Sequence, residues 1–332
     1  MGRAKISERY LIFRVKDVIM DVPEAVYAEG RIQGEKSTVK KTTLLLMAAG
    51  LGSRYGGNKQ IDGIGPHGEI LMQYSIYDAI RAGFDRVVLV IKPEHREVVE
   101  RLCGAIRGIE LDYVYQDFSN IPEFYRIPEE RVKPFGTVHA VLCAADTVKE
   151  PFAVLNADDF YGADAFRVLH DRLIMLEQGE AAMMAYYLKN TVSLNGGVTR
   201  GICRVSERRL EKVTETYRIT VDRENRICDG EGALLDGNCL TSMNLWGFRP
   251  EIFPMLRASF EEFLHGIPEG ELKAEYALPT FVDRMIGNGA LSVDVLSTDS
   301  VWFGVTYRED REGVRQKLAA MHAAGIYPEK LF

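Results

Sequence analysis

Cysteine is scarce and poorly placed for cross-linking. Cys103, Cys143, Cys203, Cys228 and Cys239 are odd in number, widely spaced and free of any CxxC pair. That pattern excludes a disulfide-framed secreted domain and a zinc ribbon, and it points to reduced thiols in a cytoplasmic protein. Long apolar runs are also missing. Nothing approaches the roughly 18 residues a membrane helix requires, and the opening residues lack the apolar core of a secretory leader. Neither sign of charge dominates: 41 basic and 48 acidic residues leave a net charge of −7. A general nucleic-acid or membrane-surface binder is therefore not expected, although local basic sites stay open. No internal repeat and no low-complexity tract occurs.

What is present is a chain of 332 residues with 46% apolar composition, enough for one large α/β domain or two small ones. Its most informative stretch is Leu44 to Gln60, LLLMAAGLGSRYGGNKQ. An apolar run stops at two alanines and opens into a loop holding Gly50, Gly52, Gly56 and Gly57, with Arg54 and Lys59 inside it. Glycine lets the backbone approach an anion and point N–H groups at it. Arg and Lys neutralise the charge that amides cannot. A P-loop would need Gly-Lys-Ser/Thr after its four-residue gap, but Asn58 follows Gly57 and Gln60 follows Lys59. The dinucleotide fingerprint would need glycine at Tyr55 and an acid ending the next strand, where Lys92 stands instead.

A third pattern, G-x-G-x-R with a lysine a few residues on, is met by Gly50, Gly52, Arg54 and Lys59. It resembles the signature loop of the sugar-phosphate nucleotidylyltransferases, which make nucleoside-diphosphate sugars. The resemblance runs over about residues 43 to 306.

From Thr42 onward the pattern alternates strand and helix. Strands are predicted at Thr43–Met47, Arg86–Ile91, Leu111–Tyr115, Phe152–Asn156 and Ala182–Tyr187. Helices are predicted at Tyr74–Ala82, Glu94–Ala105, Thr137–Thr147 and Ala163–Glu177. This alternation implies a Rossmann-like, doubly wound, mostly parallel sheet whose ligands bind at the C-terminal strand ends. Residues 195 to 248 are richer in turns and alternating strands and predict an antiparallel insertion. Helices follow at Glu251–Leu264 and Tyr276–Ile286, then a strand at Leu291–Leu296 and a helix at Asp310–Ala324. The expected division is an appended segment of open role (1–41), a nucleotidyltransferase domain (42–306) and a C-terminal helix packed on it (307–332). The ending, GIYPEKLF, lacks the hexapeptide repeats of a β-helix acyltransferase.

Asp158 and Asp159 close an apolar strand, FAVLNADDFYG. Carboxylates at such a place need pairing or a metal, or they cap the helix that begins near Ala163. The resemblance gives Asp158 the role of Mg²⁺ ligand and puts Asp159 where the family has Asn. It places the nucleotide over Ala49, Gly50, Gly52 and Ser53, with Gln116, Gly136 and Thr137 at the base. His139 is expected either on the helix surface or at the base. Gly201, Glu215 and Asn244 match the family's sugar-binding glycine, glutamate and asparagine in order.

Two departures stand out. Thr216 follows Glu215 where many members carry a phosphate-binding lysine, leaving Lys212, Arg218 or Arg200 to supply that charge. The Trp302-Phe303-Gly304 segment has no acid where many members carry a second metal ligand, and Asp299 is the nearest candidate.

The resemblance thus implies a Mg²⁺-dependent enzyme joining a nucleoside triphosphate, thymidine or uridine, to a sugar 1-phosphate, with Arg54 and Lys59 as its catalytic cations. Two rivals remain: a cytidylyltransferase acting on a non-sugar phosphate, and an inactive subunit that senses nucleotide sugars. No nucleic acid or membrane partner is expected, and a homo-oligomer is compatible with the sequence.

Overall fold

The structure is a computed structural model that describes residues 41–50, 63–298, 300–305 and 307–332. The expectations for residues 1–40 and for Gly52, Ser53, Arg54, Lys59 and Asp299 lie outside the described residues.

The strands are β1 (Thr43–Met47), β2 (Arg86–Ile91), β3 (Glu110–Tyr115), β4 (Phe152–Asn156), β5 (Asp159–Phe160), β6 (Glu180–Tyr187), β7 (Val198–Ser206), β8 (Arg209–Val221), β9 (Ile227–Cys228), β10 (Leu234–Leu235), β11 (Leu240–Phe248), β12 (Ser292–Ser297) and β13 (Phe303–Gly304). The helices are α1 (Leu71–Ala82), α2 (Arg96–Cys103), α3 (Thr137–Leu142), α4 (Ala163–Leu173), α5 (Ile252–His265), α6 (Leu278–Gly287) and α7 (Asp310–Ala323).

The main sheet runs β3-β2-β1-β4-β11-β6-β12-β8-β9-β10, and β7 pairs with both β8 and β11. β1, β2, β3 and β4 are mutually parallel, while β11 is antiparallel to both of its neighbours, β4 and β6. The central strands are apolar on both faces because helices cover both. Leu44 and Leu46 pack with residues of α1, α2 and α4; Leu45, between them, packs with residues of α3, α5 and α6. This is the alternation of successive side chains in a strand, and it makes a helix–sheet–helix sandwich. A smaller apolar cluster joins α7 to α1 and to the two-stranded β5–β13 ribbon through Tyr74, Phe160, Phe303, Leu318 and Tyr327.

α2, α3 and α4 are shorter than the periodicity predicts. α3 gives way to turns after Leu142, with Ala144 and Ala145 bonded to the carbonyls of Val141 and Leu142. α4 ends in similar i→i−3 bonds at Met175 and Leu176. Both are tightened last turns, and apolar spacing does not report where the tightening starts. The predicted start at Glu94 is also corrected, because Pro93–His95 forms a 3-10 turn ahead of α2.

Candidate active site

Strand order reverses between β1 and β4. After β1 the chain winds outward through β2 and β3, and β4 then lies on the other side of β1. The crevice beyond the C-terminal ends of two such strands is where a doubly wound sheet holds its ligand. Met47 and Asn156, the last residues of β1 and β4, are register partners. The amides of Ala48 and Ala157 extend the ladder to Val90 and Met47 carbonyls at 2.7 and 3.2 Å. Ala49 and Gly50 therefore open directly onto the segment Asn156 to Asp159.

A chain of polar groups crosses this crevice. Trp246 Nε1 donates to Asn244 Oδ1 at 3.0 Å, and Asn244 Nδ2 donates to Asn156 Oδ1 at 2.9 Å. Asn156 Nδ2 in turn donates to Asp159 Oδ2 at 2.9 Å. The Tyr161 hydroxyl lies 3.3 Å from the same carboxylate oxygen, accepts from the Asn156 amide and donates to the Met243 carbonyl at 2.9 Å. Burial pushes the Tyr161 phenol well above its ordinary pKa, so it stays a neutral donor. Asn244 reaches Asn156 because the β6–β11 register shifts between Ser242 and Trp246 and Asn244 takes a left-handed φ of 64°. Asparagine tolerates that conformation better than most residues.

Asp159 pairs across the ribbon with Gly304. A Cβ at position 304 would lie 2.5 Å from Asp159 Oδ1 and 3.3 Å from the Trp302 ring. The missing side chain there is what leaves room for the carboxylate. Asp158 and Asp159 are both half-buried.

β7, β8 and β11 carry Gly201, Glu215 and Asn244, the residues expected on the acceptor side. Gly201 is register partner to Glu215 on one strand and to Ser242 on another. A Cβ at Gly201 would come within 2.8 Å of Val213 Cγ1 and 3.4 Å of Glu215 Oε1. Burial raises the Glu215 pKa above the usual carboxylate value, against the opposing charge of Arg200. The structure thus brings Gly201 and Glu215 together on one face, and the Asn156–Asn244 bond ties Asn244 to the end of β4.

Gln116, Gly136 and Thr137, the residues expected at the base, lie together where β3 ends and α3 begins. Gln116 is buried, and its Nε2 donates to the Gly136 carbonyl at 3.1 Å. Gly136 has a φ of 91°, and a Cβ there would meet the Tyr276 carbonyl oxygen at 2.7 Å. The Val138 amide already donates to that same oxygen, and Thr137 Oγ1 accepts from the Leu278 amide at 2.7 Å. Gly136 and Thr137 thus dock α3 onto the start of α6. His139 is not on the helix surface: it is buried, with Nδ1 3.5 Å from Gln116 Nε2. It stacks on Phe260 in the core, and burial lowers its pKa to about 4, so it is a neutral core residue.

The nucleotidyl transferase family model matches residues 46–215, more than half of the chain. The chain belongs to the nucleotidyl transferase family. The match begins inside β1 and ends at Glu215. Among solved structures, the inositol-1-phosphate CTP transferase from T. maritima superposes with a TM-score of 0.57 at 14% identity, covering 84% of this chain and 96% of that one. A protein from Bacillus anthracis described as a glucose-1-phosphate thymidylyltransferase gives 0.55 at 13%, covering 84% and 95%. A UDP-glucose pyrophosphorylase complexed with UDP-glucose gives 0.52 at 18%, covering 83% and 98%. These likenesses show the shared fold. A comparison with curated protein sequences returns no significant match.

In this nucleotidyl transferase, sequence reasoning passed over Asn156, Tyr161 and Trp246, which carry the polar chain. Asn156 was in view as the last residue of an apolar strand, but nothing in the pattern pairs it with Asn244, which lies 88 positions on. As for a metal, Asp158 and Asp159 offer oxygen donors of the kind Mg²⁺ takes. No cluster of three or more His, Cys, Asp or Glu side chains suited to a metal occurs among the described residues. A pair of carboxylates with water and phosphate oxygens completing the sphere is the usual Mg²⁺ arrangement, and the donor set fits it. No helix among the described residues is long and apolar enough to cross a membrane.

Proposed function

We propose that this nucleotidyl transferase moves a nucleoside monophosphate from a triphosphate, dTTP or UTP, onto a sugar 1-phosphate, releasing pyrophosphate. The observation that carries this reading is the polar chain from Trp246 and Asn244 through Asn156 to Asp159. It ties Asn244 of β11 to the end of β4, whose last residue is the register partner of the last residue of β1. The Gly201–Glu215 pair adds a half-buried, directional acceptor suited to sugar hydroxyls.

The nucleophile in this chemistry is a phosphate monoester oxygen. Its second pKa is about 6, so it is already anionic near neutral pH and needs no general base. Catalysis reduces to holding two phosphates in line and neutralising their charge. Ala49 and Gly50, with Gly52 and Ser53, would bring backbone amides to the triphosphate; Arg54 and Lys59 would stabilise its charge as pyrophosphate leaves. Asp158, with Asp159 beside it, would hold Mg²⁺, which when bound neutralises phosphate charge and aligns the reacting groups. Gln116, Gly136 and Thr137 would frame the base, largely through backbone groups.

A second reading has a specific observation behind it, since the T. maritima structure is titled as a CTP transferase of inositol 1-phosphate. In that case the donor is CTP and the acceptor a polyol or other non-sugar phosphate.

One experiment tests both. Pyrophosphate release is measured for the common nucleoside triphosphates against glucose 1-phosphate, other sugar 1-phosphates and inositol 1-phosphate, with and without Mg²⁺. A magnesium-dependent signal with dTTP or UTP and a sugar 1-phosphate is expected. A signal confined to CTP and inositol 1-phosphate moves the assignment to the second reading, and silence across the panel removes both.

A further inference from the structure

The last helix, α7, lies well beyond residues 46–215, which the family model matches. Its first turn bonds to two separate segments, one entering β7 and one following the glycine-rich stretch. Asp310 and Arg311 are neighbours on the helix, so their side chains leave it about 100° apart and reach different elements.

Asp310 holds the segment that enters β7. Its Oδ1 accepts from Ser193 Oγ at 2.9 Å and from Asn195 Nδ2 at 2.8 Å. Its Oδ2 accepts from the Tyr307 amide at 2.8 Å, which folds the chain ahead of α7 back onto the helix. Tyr307 extends the grip. Its hydroxyl donates to the Gly197 carbonyl at 2.5 Å, and a Cβ at Gly196 would lie 2.5 Å from its ring. The ring packs against the apolar cluster of Leu188, Val198 and Ile219. Val198 is the first residue of β7, the strand that carries Gly201.

Arg311 holds the other segment. Its Nη2 donates to the Gly63 carbonyl at 3.0 Å. Gly63 is the first described residue after the stretch that contains Arg54 and Lys59. It opens a closed turn. The amides of Ile64 and Gly65 both donate to the Glu69 carbonyl, at 2.7 and 2.8 Å, and a Cβ at Gly63 would overlap the Gly68 backbone. Ile64 shares one apolar cluster with Val314 and Leu318 of α7. A third tie is covalent, because α7 follows β13, whose Gly304 is the register partner of Asp159.

Asp310 and Arg311 are only half-buried, and Val314 and Leu318 already seat the helix. Hydrogen bonds in such a place add little to stability and much to position. Position matters here, because a misplacement of about 1 Å can cost a transfer reaction about a hundredfold.

We propose that the first turn of α7 is a strut, with Asp310 and Arg311 as positioning residues that keep the entry to β7 and the turn at Gly63 at a fixed separation. The inference rests on the nucleotidyl-transfer reading and deepens it: the alignment of donor and acceptor is set from outside the matched region. Each residue holds one side, so each governs one substrate.

The test is steady-state pyrophosphate release with Mg²⁺, using dTTP or UTP with glucose 1-phosphate and CTP with inositol 1-phosphate, and both KM values are determined for each variant. Asp310→Ala is expected to raise the phosphate-ester KM at least about fivefold and Arg311→Ala the triphosphate KM by a similar factor, the scale of a lost hydrogen bond to a charged group, while the other KM stays within about twofold. Both variants lose kcat, and the double variant loses no more than the worse single one, since releasing either side already frees the separation. Arg311→Lys keeps a donor for the Gly63 carbonyl and is expected to recover most of the triphosphate KM. Tyr307→Phe removes only the hydroxyl that binds Gly197 and is expected to raise the phosphate-ester KM alone, so that arm is read even where Asp310→Ala fails to fold.

A helix with a purely structural role would lower the melting temperature and shift both KM values together. That result, or unchanged kinetics in both alanine variants, overturns the strut. So does a double variant whose kcat loss is the product of the two single losses. A wild type that releases no pyrophosphate with any of these pairs sinks the nucleotidyl-transfer reading and the strut with it.

Discussion

Charge is placed by single residues here, and single substitutions should report on it. Arg54→Ala or Lys59→Ala is expected to cut turnover about a hundredfold, the scale of losing one pre-organised charge donor; steady-state pyrophosphate release checks it, and near wild-type turnover in either variant would remove that cation from the reaction. Asp158→Asn is expected to abolish both activity and the response to magnesium, read as turnover across a Mg²⁺ series and as Mn²⁺ binding by electron paramagnetic resonance. Retained metal binding would take Asp158 out of the metal's shell. The residues along the chain announced these roles unevenly. The proposed phosphate loop is local, so its glycines and cations sit within one stretch of sequence. Asn156 is not legible in that way, because its partners arrive from β11 through a bulge that only the folded sheet reveals. His139 misled for a related reason: helical spacing says that a side chain lies on one face, but not that Phe260 covers that face.

Strands and helices were legible to different degrees. β1, β2 and β4 begin and end where their apolar runs do, since strands buried on both faces cannot extend past the first polar or turn residue. Helix ends were not, because i→i−3 tightening depends on what each end packs against. One element carries a buried charge that the fold should feel. Asp78 of α1 is 1% exposed; its Oδ2 accepts the Tyr327 hydroxyl at 2.8 Å, and its Oδ1 has no partner among the described residues. Burial pushes its carboxyl up to about 7, with the Tyr327 hydrogen bond and Arg81 pulling the other way. The unfolded chain releases this proton near pH 4, while the folded chain keeps it until about 7. The folded state then binds more protons across that window, so stability is full below it and falls as pH rises through it. Asp78→Asn removes the loss. Denaturant unfolding at pH 5 and pH 8 should show the wild type losing a few kcal/mol, on the order of 2–4, more than the variant across that interval. Equal losses would mean that Asp78 titrates normally.

Across the molecule, the two ends of one sheet differ in how well they are covered. β1, β2 and β4 are sealed between two helical layers, whereas β9 and β10 are two-residue strands at the far edge with exposed neighbours. Amide exchange should therefore separate them. The amides of Leu44–Leu46, Val88–Val90 and Val154–Leu155 are expected to exchange only on global unfolding, and those of β9 and β10 at least about a hundredfold faster. Uniform protection across the sheet would contradict this picture. The fold class itself was legible, because alternating strand and helix signals leave little choice but a doubly wound sheet. The crossing of β11 between β4 and β6 was not, since no local pattern tells a strand which neighbours it will join.

That crossing bears on how the chain is made. β4, with the apolar sequence FAVLN, finds β1 on one side as soon as it leaves the ribosome, but its other neighbour is β11. Until Leu240–Phe248 has been synthesised, the nascent half-sheet presents an unpaired apolar edge, the kind that recruits other chains. Holding that edge is a task for a chaperone, or for a brief pause in translation timed to the arrival of β11.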